Sequence, residues 1–278
     1  MKRILMTVIA ASVTVFAAAQ EATTSLVSYT GKNKLALVKN SIDVPAWHEK
    51  TFWPLYENYL AASGKIASQT HRLRKAIADI NESTSNEDAR VAAENFLSAE
   101  TQSIATKREY YQKISTELNG NLSLQFLQSE VVMDMMEAST AYDESSIKNF
   151  RFHPKVTSTE QFRQAKRNMI AKALNLTKDN GYLFWNMYNQ YEEDLDNLLG
   201  EEYSLISYYA NEPTDFTPAL SKRMGHDILA ILEREIKLKE KYYQKLKGDM
   251  GPVMAAKFLA WEDYYSVVSK MYAWADAP

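Results

Sequence analysis

The sequence predicts an all-α protein built from two tandem elongated helical units, and three observations carry that prediction. Gly and Pro are scarce, at 8 and 7 among 278 residues, too few for the turns of a sheet protein. Apolar residues recur at steps of three and four over long stretches, the pattern of helices with one buried face. One gapless shift, which carries position 52 onto position 184, also brings distant clusters into register. Phe52-Trp53 falls on Phe184-Trp185, Tyr56 on Tyr188, and Tyr59 on Tyr191. Tyr110-Tyr111-Gln112-Lys113 falls on Tyr242-Tyr243-Gln244-Lys245, and Phe126-Leu127 and Glu130 fall on Phe258-Leu259 and Glu262.

The chain divides accordingly. Residues 1–19 read as a signal peptide: Lys2 and Arg3, an apolar run from Ile4 to Phe16 too short to span a bilayer, then Ala17-Ala18-Ala19. The first repeat is then 20–142, the linker 143–157 and the second repeat 158–278. The first repeat is expected to hold a short helix within 26–40 and long helices at 45–81, 86–118 and 121–142. The second is expected to place helices at 158–174, 178–210, 217–248 and 252–275. Ser85 with Asp88, and Thr217 before Pro218, mark helix starts. Asn119-Gly120, Gly248 and Gly251-Pro252 mark helix stops. The linker carries Asp143, Glu144, Ser145, Ser146, His153 and Pro154.

Folding each repeat about its turns sets residues at common heights. Phe52, Tyr56, Tyr111 and Phe126 are expected in one buried aromatic layer, and Phe184, Tyr188, Tyr243 and Phe258 in its counterpart. The same geometry brings Lys107 near Glu130 and Lys239 near Glu262. A lysine in an apolar seam needs a carboxylate or a path to water, so two ion pairs are expected there.

Composition limits the chemistry. There is no Cys, hence no disulfide and no thiolate metal site. The formal charge of −3 becomes about −5 once Lys2 and Arg3 are removed, a poor match to nucleic acid. The four histidines, His48, His71, His153 and His226, form no i,i+3 or i,i+4 pair, so no metal set is read and no cofactor is expected. Glu192-Glu193-Asp194 and Glu201-Glu202 read as solvated helix faces, without a nucleophile elbow, phosphate loop or HExxH pattern beside them. The expectation is a protein that is not an enzyme. Met133, Met135 and Met136 read as core filling rather than an adaptable surface.

The second repeat opens with Leu176-Thr177-Lys178-Asp179-Asn180, which resembles the LTxxQ signature of the Spy/CpxP-like periplasmic proteins. Leu176 and Thr177 match, and Asn180 stands where the family has Gln. Physically the motif is a helix start: Thr177 caps while the amide three residues on reaches back. Phe216-Thr217-Pro218-Ala219 is a weaker start of the same kind, and Val44-Pro45-Ala46-Trp47-His48 departs further. The resemblance implies a cradle of long helices that binds unfolded or envelope proteins without ATP, or serves a sensor of envelope stress. The expected function is therefore an exported periplasmic helical binding protein, a chaperone or stress adaptor with no stable membrane span after processing. Its partners would be unfolded or envelope proteins, with self-association left open. The alternatives are a structural scaffold of the envelope and, behind it, a metal-responsive sensor.

Overall fold

The computed structural model describes residues 31–150, 159–211 and 217–275, which form eight α-helices, one 3-10 turn and no strand. The signal peptide expected at 1–19 lies outside the described residues. The helices are α1 (Gly31–Ser41), α2 (Ala46–Ala78), α3 (Asn86–Glu117), α4 (Gly120–Asp143), α5 (Thr159–Ala173), α6 (Lys178–Asn211), α7 (Pro218–Met250) and α8 (Pro252–Ala275). The shift that carries 52 onto 184 also carries the start of α2 onto that of α6, α3 onto α7 and α4 onto α8.

Local chemistry sets these boundaries. Ser85 caps α3, its Oγ accepting from Asp88 N at 3.0 Å. Asn119, expected as a stop, is at once the cap of α4, accepting from Leu122 N at 2.9 Å. Thr217 caps α7 with Pro218 in the first turn. Gly248 does not end α7; the helix runs on to Met250 and stops at Gly251, whose φ of +86° only glycine adopts without strain. At α6, Asn180 Oδ1 accepts from Thr177 N at 2.7 Å while Asn180 N donates to Thr177 Oγ1 at 3.4 Å. That is the reciprocal cap expected for the motif, and Leu176 beside it packs on the core.

The linker expected from residue 143 begins as packed structure. A 3-10 turn, Ser146–Phe150, follows α4, Ile147 is buried, and Ser146 is tied to the end of α2 through Asp79 Oδ1 and Ala78 O. Residues 151–157 lie outside the described residues.

The helices of the two halves do not form separate rods. α2, α3 and α4 pack on one another, as do α7 and α8 with α6 beside them, but α4 also packs on α7, and α3 on both α7 and α8. Arg108 pairs with Glu233 and Glu94 with Lys247, so α3 and α7 run antiparallel. The first turns of α4 and α7 meet so closely that a Cβ on Gly120 would overlap the Pro218 carbonyl oxygen. Each of the two large hydrophobic clusters draws on both halves: Ile77, Phe96 and Tyr142 join Phe184, Tyr188 and Phe258, while Leu229 and Ile236 join Phe52, Tyr56 and Phe126. Met133, Met135 and Met136 are buried in that second cluster, as core filling requires.

Candidate functional site: two carboxylate cages and a charged cavity

The residues expected in each aromatic layer are buried in one cluster per layer. Phe52 stacks on Tyr56 at 6.3 Å, and Tyr56 meets Phe126 edge-on at 6.2 Å. Phe184 and Tyr188 lie at 5.3 Å, and Tyr188 and Phe258 at 6.3 Å. Tyr111 is fully buried in the cluster that holds Phe52, Tyr56 and Phe126, and its ring also stands against His226 and Gly225, with its hydroxyl donating to the Lys222 carbonyl at 2.6 Å. Tyr110 adds a ring contact 5.5 Å from Tyr59, as Tyr242 does 5.3 Å from Tyr191. Tyr243 is buried with the Lys247 ammonium over its ring, and Lys247 pairs with Glu94 of α3. Hairpin arithmetic fixes a residue's height but not its azimuth, and adjacent positions on a helix differ by about 100°. Tyr111 also reaches α7 because α3 has that helix as a second neighbour.

Behind each layer sits a fully buried glutamate. Glu130 accepts from Tyr56 Oη at 2.8 Å and Tyr59 Oη at 2.6 Å, and Lys34 Nζ of α1 lies 2.9 Å from it. Glu262 accepts from Tyr188 Oη at 2.8 Å, and Lys166 Nζ of α5 lies 2.8 Å from it. Tyr191 stands beside the same carboxylate, its ring against Tyr188 and Phe258. Burial and the adjacent carboxylate push all four phenols well above their ordinary range. Burial opposes the Lys34 charge, but Glu130 and Glu137 outweigh it and hold the ammonium protonated. Each cage satisfies both carboxylate oxygens, the condition under which a buried charge is tolerated. Glu192, expected on a solvated face, is also buried, because Arg167 of α5 closes over it.

The expected pairs Lys107–Glu130 and Lys239–Glu262 are not formed. Lys107 pairs with Asp134 at 2.7 Å and donates to Ser103 at 2.6 Å. Lys239 lies 3.1 Å from both Glu235 and Asp263. Glu130 and Glu262 turn outward to α1 and α5, whereas both lysines turn inward to the junction of the halves. Their partners are therefore one turn further along α4, or one residue further along α8. The lysines that do reach the caged glutamates escape the sequence reading, although the sequence marks them: Lys34-x3-Val38-x3-Ile42 recurs at the same offset as Lys166-x3-Ile170-x3-Leu174.

The two inward lysines line a cavity of about 90 Å³ at the junction, room for several waters. Arg74, Lys107, Lys239 and Lys270 face Glu100, Asp134, Glu235 and Asp263, four cations against four carboxylates. Every lining residue except Arg74 has a counterpart in the lining at the offset that carries 52 onto 184. Arg74 Nε donates to Asp263 at 2.7 Å and Nη2 to Glu100 at 2.7 Å, and Tyr142 Oη donates to Asp263 at 2.7 Å. Burial alone would raise the Asp263 carboxyl, but Arg74 and Lys239 hold it well below the usual range. Lys270 and Lys239 do the same for Glu235 against its burial. At Glu100 burial wins over Arg74, and the carboxyl is pushed up.

No protein-family model, no curated protein and no solved structure matches the chain. The site must be read from its own groups. Among the described residues no three His, Asp or Glu side chains gather as a metal set, and every cavity carboxylate already faces a cation. His48 lies by Asn119, His71 by Glu144 and His226 by Tyr111; His153 is outside the described residues.

The cavity makes stability depend on pH. Asp263 and Glu235 titrate lower folded than unfolded, so their contribution is present above the unfolded carboxylate range and lost as pH falls through the folded values. Glu100, shifted the other way, opposes them but is one group against two. Urea denaturation is expected to show stability declining steadily below about pH 4.5. A midpoint unchanged between pH 5 and pH 3 would refute this account of the cavity.

Proposed function

We propose that the chain is an exported helical adaptor or scaffold of the cell envelope, built by tandem duplication of one four-helix unit. The duplication reading is supported by the common offset of helix starts, by the two Glu–Tyr–Tyr–Lys cages, and by the paired cavity lining. Export rests on the signal-like residues 1–19. Among the described residues no helix is long and apolar enough to cross a membrane.

The observation that carries the adaptor reading is where apolar surface remains. The faces that an open cradle would present to an unfolded chain are turned against the other half and buried. Among the described residues the most exposed large apolar side chains are Trp47 at 79% and Tyr182 at 77%, with Leu183 at 54%. Trp47 opens α2 next to the α3–α4 turn, where His48 meets Asn119. Tyr182 and Leu183 open α6, near the α2–α3 turn, where Asn175 reaches Glu82. The length of α2, about 50 Å at ~1.5 Å per residue, separates these ends. Separated anchors of this kind suit recognition of folded partners; capture of unfolded chains calls for a continuous apolar patch.

Two measurements test the reading. N-terminal sequencing of the protein exported by a Gram-negative host is expected to begin at Gln20. Light scattering of a denatured periplasmic protein is expected to be unaffected by an equimolar amount of the mature chain. Suppression by half or more would return the function to the ATP-independent chaperone that the Spy/CpxP-like motif implies.

A further inference from the structure

We propose that the groove between α2 and α4, now filled by α1, is a docking site for an amphipathic helix of a partner protein. That helix carries a lysine followed by aliphatic residues four and eight positions on, and α1 is the displaceable occupant. This rests on the adaptor reading and names the chemistry of its partner.

The groove's demands are written in what fills it. Lys34, Val38 and Ile42 lie on one face of α1 and its continuation, each at most 7% exposed. Lys34 reaches the Glu130 carboxylate at 2.9 Å and Glu137 at 3.6 Å, and passes over the Tyr59 ring. Emptied, the groove would leave Glu130 with two tyrosine donors and no countercharge, so its occupant must bring a cation to that depth. Apolar side chains at the next two turns complete the fit, the general mode of a helix laid in a groove.

The second half shows what a permanent occupant looks like. α5 repeats the motif as Lys166, Ile170 and Leu174, and adds outer clamps. Arg163 pairs with Asp196 at 2.6 Å; Arg167 pairs with Glu192, donates to Asn189 at 2.7 Å and covers the Trp185 ring. The equivalent positions of the first half hold Gly31 and Leu35 in place of the arginines, and Gly64 and Leu60 in place of Asp196 and Glu192. Both ends of both clamps are absent from the first half. α1 retains the central lysine and Lys39 over Trp53, which select an occupant without locking it.

Fluorescence anisotropy with a labelled peptide of residues 31–44 and the full mature chain tests this. In the wild type, tethered α1 competes at a high effective concentration, on the order of millimolar, and trans binding is weak. Lys34→Ala in the chain is expected to tighten peptide binding at least ten-fold, and Lys34→Met in the peptide to reverse that gain. Glu130→Gln in the chain should remove the preference for the lysine peptide. If circular dichroism shows Lys34→Ala unfolded, Val38→Ala loosens α1 without touching the charge, and the same peptide ranking is expected. No binding to either loosened chain, or equal affinity for the lysine and methionine peptides, overturns the proposal. A wild-type chain that light scattering finds dimeric at micromolar concentration also overturns it, by making a second copy's α1 the occupant. Any of these failures leaves the scattering test of the adaptor reading untouched.

Discussion

Glu262→Ala is expected to cost about 3–5 kcal/mol of folding stability, the usual toll of breaking a buried pair from one side. The side chain is 1% exposed, and its removal strands the Lys166 ammonium, itself 8% exposed, together with the Tyr188 hydroxyl. Water cannot take over without opening the layer that holds Tyr188, Tyr191 and Phe258. Pairing Glu262→Leu with Lys166→Met should recover part of the loss, because the stranded ammonium disappears while the phenols stay unsatisfied. Urea denaturation of the three proteins decides it. A single-mutant loss below about 1 kcal/mol would mean that the carboxylate is hydrated and the cage is not closed.

Gly120→Ala is expected to destabilise by about 3 kcal/mol, the upper end of ordinary overpacking. A Cβ there would overlap the Pro218 carbonyl oxygen and lie 2.9 Å from Lys222 N, both backbone atoms that no rotamer change can move. The first turns of α4 and α7 would have to part, and the Tyr111 hydroxyl bond to Lys222 would part with them. Gly64→Ala is the control: a Cβ in the exposed middle of α2 meets nothing within 4 Å. It should instead stabilise by roughly 0.5–1 kcal/mol, the ordinary gain of alanine over glycine in a helix. Equal effects at the two sites would show that the halves do not touch at α4 and α7.

Much of the helical frame is legible in the sequence, because caps and periodicity are local. Ser85, Thr177 and Thr217 each announce a start that the backbone honours, and Phe52, Tyr56 and Phe126 fall in one layer because hairpin turns fix their heights. What the sequence conceals is the choice of face. α3 and α7 are each buried on more than one side, so an apolar seam assigned to contacts within one half serves partly the contact between halves. For that reason Lys107 and Lys239 are given the wrong carboxylates, and the contacts of Tyr111 and Tyr243 with the other half go unread. The occupants of the cages are readable as a repeated Lys-x3-aliphatic-x3-aliphatic spacing, but α1 is short, and nothing local says that Lys34 turns inward.

On the proposed duplication, the junction cavity would also record history. Its lining positions pair across the proposed duplication, yet apart from Lys107 and Lys239 the charges do not: Glu100 answers Leu232, Ser103 answers Glu235, Val131 answers Asp263, Asp134 answers Ser266, and Ala138 answers Lys270. Arg74 stands opposite Asp263, while the position equivalent to Arg74 holds Ile206 and the one equivalent to Asp263 holds Val131. Each half thus supplies what the other lacks. A symmetric ancestor could have paired with an identical copy of itself, but descendants that divided the charges between them no longer can. Such a division of labour acts as a ratchet: every compensating pair of substitutions deepens the dependence of one half on the other, and the joined gene becomes the unit that selection must keep whole.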